Sequence, residues 1–364
     1  MKILYDHQMF SIQKYGGITK YFCELMKNLP TEHQFKLSLL LSDNQYLKED
    51  FKIFKKVNIP LPDRESRWKL ILKKRLYSVN KTYSEYIINT NKYDLLHPTY
   101  YDTYFLSKLK KPYIITVHDL IEFRFKELYA KNTRIPQMEK IIKNANRIIS
   151  ISENTKNDLI DIFKIQPEKI DVIHHGFNIP LTLNKRNAFG RYILFVGRRG
   201  VYKNFEIFVR AVSILLNKQS DLKLICVGDP FKKEEMDMLR TLKISEKSMT
   251  LGVNERKLNN LYSNALVFVY PTLYEGFGMP VLEAFANNCP VCLSNTSSLP
   301  EIAGDAGAYF DPTDQDSILH AVERVIFDNE FSKELINAGK KRLINFSWKN
   351  CAEQTIASYK KILN

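Results

Sequence analysis

A chain of 364 residues is longer than one hydrophobic core usually grows, so two domains are expected. Its 45% hydrophobic and 26% charged residues exclude disordered and collagen-like classes, and no run reaches the ~18 apolar residues of a membrane span. The net charge of +14 attracts anionic partners without naming them; with no zinc-finger, helix-turn-helix or RNP-type signature, nucleic acid is not an expected partner.

The opening MKILYDHQMF meets aspartate and histidine too early for a secretory leader. Five scattered cysteines, Cys23, Cys226, Cys289, Cys292 and Cys351, fit free thiols in a reducing compartment, so a cytoplasmic address is expected. Chain order then alternates β-like KILYD (2–6), KLSLLL (36–41), YIITV (113–117), IISIS (148–152) and IDVIHH (170–175) with helix-like stretches around 17–29, 66–88, 134–146 and 155–164. That alternation predicts an α/β domain over 1–182. Residues 178–190 lose periodicity and gather Pro, Asn and Gly, as a linker does. The pattern restarts with YILFVG (192–197), a helix over 204–217, LKLICVG (222–228) and ALVFVYP (265–271), giving a second doubly wound domain over 183–345. A terminal segment, 346–364, carries a helix over 348–363 that can pack on either domain. Ligands of such sheets sit beyond the carboxyl ends of the strands, and a cleft between the halves is the expected site.

In the first half, Gly16 and Gly17 precede an amphipathic helix. They either let the main chain lie against an acceptor or phosphate, or serve a turn that needs positive φ. Within 52–75, nine Lys/Arg stand against Asp63 and Glu65 and interleave with Phe54, Trp68, Leu70 and Leu72. Such a stretch fits a basic helix on an anionic bilayer, or a solvated basic face. His97 follows an apolar strand, and with Tyr100 and Tyr101 is a candidate for the acceptor side, plain packing being the alternative. His118, at the end of YIITV, is placed to orient a hydroxyl or share a proton, a satisfied core histidine being the alternative, and Asp119 to meet substrate or anchor the loop. His174 and His175 fit support of the domain junction, and Ser152 fits an N-cap.

In the second half, Gly197 ends a strand and Arg198, Arg199 and Lys203 precede a helix. Cations there neutralise a leaving diphosphate, with Arg198 and Lys203 preferred. The densest segment is YPTLYEGFGMPVLEAFANNCPV (270–291): an apolar strand, a loop through Glu275, Gly276, Phe277 and Gly278, then a helix with Pro280 in its first turn. Loop glycines and free N–H groups at the helix start make a diphosphate seat. Glu275 is placed for a transferred sugar and Glu283 for ribose hydroxyls, against a structural reading in which Glu283 caps charge near the helix start and Glu275 is solvent-exposed. The G-R-R-G spacing is not a dinucleotide fingerprint. Cys289 and Cys292 have no second ligand pair, so packing is preferred to zinc. Without a D-x-D platform after a strand, metal-independent transfer is expected.

Taken together, YGGITKYFCEL (15–25), TVHDL (116–120), ISENTKNDL (151–159), HHGF (174–177), FVGRRGVYKN (195–204), YPTLYEGFGMPVLEAF (270–285), SSLPEIAGDAG (297–307) and FSWKNCAEQTIASYKK (346–361) resemble family 4 of the retaining glycosyltransferases, in family order over nearly the whole chain. The resemblance implies a GT-B architecture, two Rossmann-like domains facing a cleft, with the last helix crossing back to the first. It implies that Glu283 holds the ribose, that Glu275 and Gly276–Gly278 meet the donor sugar, that Arg198 and Lys203 grip the diphosphate, that His118 lies by the hexose and that Gly16–Gly17 lines the cleft. It further implies a nucleoside-diphosphate sugar as donor, with GDP-mannose the best match. The acceptor implied is a saccharide or polyprenyl-linked saccharide of surface-polysaccharide assembly, at the inner face of the membrane. Asn288 stands where the family commonly has glycine. The rival readings are a nucleotide-sugar epimerase of related architecture and a nonenzymatic scaffold on an anionic surface.

Overall fold

The computed structural model describes residues 1–51, 67–129, 134–179 and 188–363. They form two compact units, Met1–Gly176 with Ser347–Asn364, and Phe177–Phe346. Residues 52–66 of the basic stretch and 180–187 of the expected linker lie outside the described residues.

The first unit runs β1 (Lys2–Tyr5), α1 (Gln8–Ile12), α2 (Gly17–Lys27), β2 (Gln34–Leu37), α3 (Gln45–Asp50), α4 (Arg67–Asn89), β3 (Leu95–His97) and β4 (Ile114–Val117). It continues with α5 (Ile121–Arg124), α6 (Ile135–Asn144), β5 (Arg147–Ser150), α7 (Glu153–Phe163) and β6 (Ile170–Val172). All pairings are parallel: β1 lies between β2 and β3, β5 lies between β4 and β6, and a bridge from Leu96 to Tyr113 joins the two triplets. The sheet order is therefore β2-β1-β3-β4-β5-β6, and its winding reverses between β1 and β3. Strands buried on both faces explain the unbroken apolar runs of the sequence. Ser152 caps α7, its Oγ accepting from Thr155 N at 3.1 Å, as its position before the helix predicts.

The second unit runs β7 (Arg191–Val196), α8 (Phe205–Lys218), β8 (Leu222–Val227), α9 (Lys233–Thr241), β9 (Ser248–Leu251), α10 (Glu255–Asn264), β10 (Val267–Tyr270) and α11 (Met279–Ala286). It ends with β11 (Val291–Ser294), α12 (Leu299–Ala303), β12 (Gly307–Phe310), α13 (Gln315–Phe327) and α14 (Asn329–Leu343). Its sheet is parallel in the order β9-β8-β7-β10-β11-β12, the doubly wound arrangement with its switch between β7 and β10. Helix α8 shows how the sequence enforces this: Phe205, Phe208, Val209, Val212 and Leu216 recur at three- and four-residue intervals, and all are buried in the core. The short strands β9 and β12 carry no long apolar run, so periodicity did not find them.

The last helix, α15 (Trp348–Leu363), belongs to the first unit. Trp348, Cys351, Ile356 and Tyr359 enter a core with Tyr5, Phe22 and Ile149. Tyr359 Oη lies 3.1 Å from Tyr5 Oη, and a Cβ on Gly176 would meet the Trp348 backbone N at 2.2 Å, so only glycine fits there. All five cysteines are buried free thiols, the Cys289 and Cys292 pair included.

Candidate functional site

The loops that follow β7 and β10 meet at the second unit's switch point. Leu273 N donates to Tyr202 O at 2.7 Å and Thr272 Oγ1 to the same oxygen at 3.1 Å, clipping one loop to the other. Lys203 is thereby held beside the acidic loop: its ammonium donates to Glu275 and, at 2.9 Å, to Tyr270 Oη. It also lies over the Tyr270 ring, 4.8 Å from the centroid, with the Tyr202 ring at 5.2 Å. Burial, and next the Glu275 charge, hold the Tyr270 hydroxyl protonated well above its ordinary range. The lysine is both oriented and charge-paired.

Glu275 is fixed from behind. Its backbone N donates to Ser297 Oγ at 3.0 Å, while Ser298 Oγ donates to the carbonyls of Glu275 at 3.0 Å and Phe277 at 2.8 Å. Gly278 then adopts φ +110 as the residue before α11, a backbone setting that strains any side chain, and an added Cβ would lie 2.9 Å from Leu299. At the start of α11 Pro280 has no N–H and Val281 N already donates to Gly278 O at 2.9 Å, so the Met279 N–H and the helix dipole give this corner its positive end. One turn on, Glu283 accepts from Tyr262 Oη at 3.1 Å. Asn288, just past α11, has φ +56, so the departure from glycine preserves the left-handed turn that asparagine tolerates. Ser297, Ser298, Tyr262 and Tyr270 do not stand out in the sequence by themselves. The SSLPEIAG motif is the signal for the serines; nothing local marks the tyrosines.

The neighbouring cations diverge. Arg199 is only 4% exposed in its side chain: Nε donates to Glu235 at 2.9 Å, Nη2 donates to the carbonyls of Asp229 and Pro230 at 2.8 Å each, and the guanidinium lies over Phe231 at 5.0 Å. Arg198 is exposed, with no ion pair among the described residues. Phe277 is a further adjustment to the expected site: its ring is buried edge-on against Phe346 at 5.9 Å, which leaves backbone as its contribution to the loop.

In the first unit, His118 follows β4 and stacks on His175, centroids 5.6 Å apart and planes at 19°, with Tyr21 edge-on at 5.2 Å. Burial lowers its pKa to about 3, so it is neutral at pH 7, and its Nε2 has no hydrogen-bond partner among the described residues. Asp119 Oδ1 accepts from Ile121 N at 3.2 Å and anchors the turn into α5. His175, expected at a junction, packs on Trp348 at 6.0 Å within this same unit. His97 is fully buried, Nδ1 hydrogen-bonded to Tyr359 Oη at 2.6 Å and Nε2 to Thr116 Oγ1 at 2.9 Å, so its ring serves the core instead of an acceptor face. Tyr100 remains half-buried against Tyr101. Gly16 is extended, with φ 174, and a Cβ on Gly17 meets nothing within 4 Å, so the positive-φ turn is not formed at this pair. Among the described residues no group of three or more His, Cys, Asp or Glu is assembled to hold a metal ion.

Two Rossmann-like doubly wound units with parallel sheets are the architecture of the GT-B class, and the chain belongs to the glycosyltransferases of family 4 and group 1. Residues 15–180 match the model of Glycosyltransferase Family 4 and residues 184–342 that of Glycosyl transferases group 1. An uncharacterized glycosyltransferase of Methanocaldococcus jannaschii is 31% identical over 300 residues, 75% of this chain and 77% of that one. The O-antigen chain mannosyltransferase B of Escherichia coli is 29% identical over 269 residues, 68% and 70% of the two chains. Among solved structures, sucrose-phosphate synthase from Thermosynechococcus elongatus superposes with a TM-score of 0.74 at 19% identity, over 99% of this chain and 98% of that one. HepE of Anabaena, in complex with UDP and glucose, gives 0.74 at 16% identity over 99% of each. These structural likenesses concern the fold.

Proposed function

We propose that this glycosyltransferase transfers a hexose with retention of configuration, from a nucleoside-diphosphate sugar bound by the second unit to a saccharide or lipid-linked saccharide bound by the first. Mannose from GDP-mannose is the favoured donor, a choice supported by the similarity to the O-antigen mannosyltransferase. The observation that carries the reading is the Lys203–Glu275 pair beside the start of α11, with Glu283 on the same helix.

In this reading Glu283 accepts hydrogen bonds from the ribose hydroxyls, and the positive start of α11, with the Met279 N–H, receives phosphate oxygens. Lys203, joined by Arg198, neutralises charge as the diphosphate leaves, an interaction stronger in the transition state than in the ground state. Glu275 turns from Lys203 towards a hydroxyl of the transferred sugar. The acceptor hydroxyl approaches on the face from which the diphosphate departs; its oxygen bonds to the anomeric carbon, the C–O bond to phosphate breaks, and the departing phosphate takes the hydroxyl proton. Neutral His118 orients a sugar hydroxyl, and Gly16–Gly17 admits substrate to the backbone. No metal step is invoked. The protein is cytoplasmic in this proposal and touches the inner membrane face through the basic start of α4, where Trp68 is 76% exposed. No described helix is long and apolar enough to cross a membrane.

The test is a thermal-shift panel of nucleotide sugars, followed by NMR of the product's anomeric proton. A guanosine-diphosphate sugar is expected to raise the melting temperature most. A product of inverted configuration, or a panel in which no nucleotide stabilises the chain, refutes the reading.

A further inference from the structure

The first unit has a switch point of its own, between β1 and β3, and there the structure contains a cavity of about 390 Å³. Its walls come from the segments that follow those two strands, with Ser11 and Ile12 of α1 on one side and Tyr100–Asp102 on the other. Open α/β sheets bind ligands in this position, and the volume lies in the usual range of small-molecule sites. The pocket lies wholly within one unit.

Helix α4 closes it with one face: Leu70, Lys73, Lys74 and Tyr77 follow each other at the three- and four-residue intervals that align side chains on a helix. The lining is mostly apolar and aromatic, yet its charges are lopsided. Lys73, Lys74 and Arg134 border it against one carboxylate, Asp102, which already accepts from Tyr77 Oη at 2.7 Å and from Tyr104 N at 3.1 Å. Lys73 is held at the cavity by donating to Ile12 O at 3.3 Å, and Arg134 lies over the Tyr100 ring at 5.8 Å. Such a pocket favours an anionic head joined to an apolar body over a bare saccharide, which needs rows of polar partners.

Leu70 at the pocket rim is 55% exposed, and on the other side of α4 Trp68, Leu72 and Val79 are 76%, 41% and 46% exposed. Trp68 and Leu72 are one turn apart and Val79 two turns further along the same stripe. At about 100° per residue that stripe lies on the face of α4 opposite Leu70, Lys73, Lys74 and Tyr77, so a hydrocarbon chain whose head occupies the cavity leaves past Leu70 alone.

We infer that this cavity seats the phosphate of a lipid-phosphate-linked acceptor, with Lys73, Lys74 and Arg134 on the phosphate, the tyrosines around the adjoining carbons, and the chain leaving past Leu70. This deepens the proposed transferase reading and rests on it. It selects the lipid-linked acceptor over the free saccharide and assigns a binding role to residues outside the motifs of the sequence.

Calorimetry on the full chain tests it with three probes: octyl phosphate below its micelle concentration, inorganic phosphate and octanol. Octyl phosphate is expected to bind at least about tenfold more tightly than either of the others, and the Lys73→Gln/Lys74→Gln double variant to lose about tenfold or more of that affinity. GDP binding and the melting temperature of the first unit, measured on the same preparations, are expected to be equal in the two proteins, which establishes that the variant is folded in both units. Inorganic phosphate binding as tightly as octyl phosphate marks a plain phosphate site and overturns the proposal; octanol doing so marks an apolar pocket and overturns it as well. Unchanged octyl phosphate affinity in the variant places binding elsewhere and is equally fatal to it. If octyl phosphate fails to bind while a nucleotide of the panel binds, the acceptor assignment falls and the transferase reading stands; if no nucleotide binds either, both fall.

Discussion

Lys203→Met separates what the Lys203–Glu275 pair does for the fold from what it does for the reaction. The two side chains are 11% and 12% exposed, and the ammonium also donates to Tyr270 Oη at 2.9 Å. Opposite unit charges about 4 Å apart attract by about 4 kcal/mol at an effective dielectric near 20. Desolvation offsets part of this, so removing one partner from a partly buried pair costs about 2 kcal/mol, less than for a fully buried one. For a unit of this size that is a fall of roughly 4–8 °C in melting temperature. Adding Glu275→Gln removes the stranded carboxylate and is expected to restore most of the loss. Turnover behaves differently: taking away a preorganised cation from developing phosphate charge is expected to lower kcat by about 10²-fold, in the single and double variants alike. Calorimetry and donor-saturated kinetics on the same preparations give both numbers. A single variant within about threefold of the parent in kcat, or a double variant whose turnover returns with its melting temperature, refutes the argument.

The two arginines before α8 are expected to give opposite phenotypes. Arg199→Met breaks its bonds to Glu235 and two carbonyls, lowering stability by about 2 kcal/mol while kcat/KM stays within about twofold. Arg198→Ala, at an exposed site, leaves stability within about 0.5 kcal/mol but raises the donor KM about tenfold; chemical denaturation and initial rates separate the two. Glu283→Ala also removes the acceptor of Tyr262 Oη and is expected to weaken nucleotide binding about tenfold or more by calorimetry; unchanged affinity excludes the ribose role. Stability of the first unit is expected to fall with acid. Burial lowers His7, His97 and His118 from 6.5 to about 3, so below 6.5 the unfolded chain binds protons that the folded one refuses, and stability drops as pH falls from 6.5 towards 3. Each histidine contributes up to about 1.4 kcal/mol per pH unit. Urea midpoints unchanged between pH 6.5 and 4.5 contradict this.

Both sheets were legible because strands covered on two faces must read as apolar runs: YILFV does so without interruption, and LKLICV with Lys223 alone breaking it. The Glu275–Glu283 segment was legible because glycine, proline and the strand before them fix a strand–loop–helix corner from local chemistry alone. Side-chain direction was not. His97 and Phe277 sit at strand ends and loops that look equally suited to ligand or core, and only the arrival of Tyr359 and of Phe346, distant in sequence, turned them inward. Arg198 and Arg199 are adjacent and alike in composition; Glu235 and the Phe205–Phe231 aromatics decide which of them is captured. The acceptor-side cavity was invisible for the same reason, since its walls come from four separated segments and helix α4 contributes through its register rather than through any motif.

Helix α15 gives the molecule an unusual order of manufacture. Residues 1–176 lack Trp348, Ile356 and Tyr359 until residues 348–359 have been made, so their core stays open while the entire second unit is made and is free to fold. A nascent chain stalled before α15 therefore carries an incomplete first unit, and a nonsense mutation between the second unit and α15 injures the unit made before it.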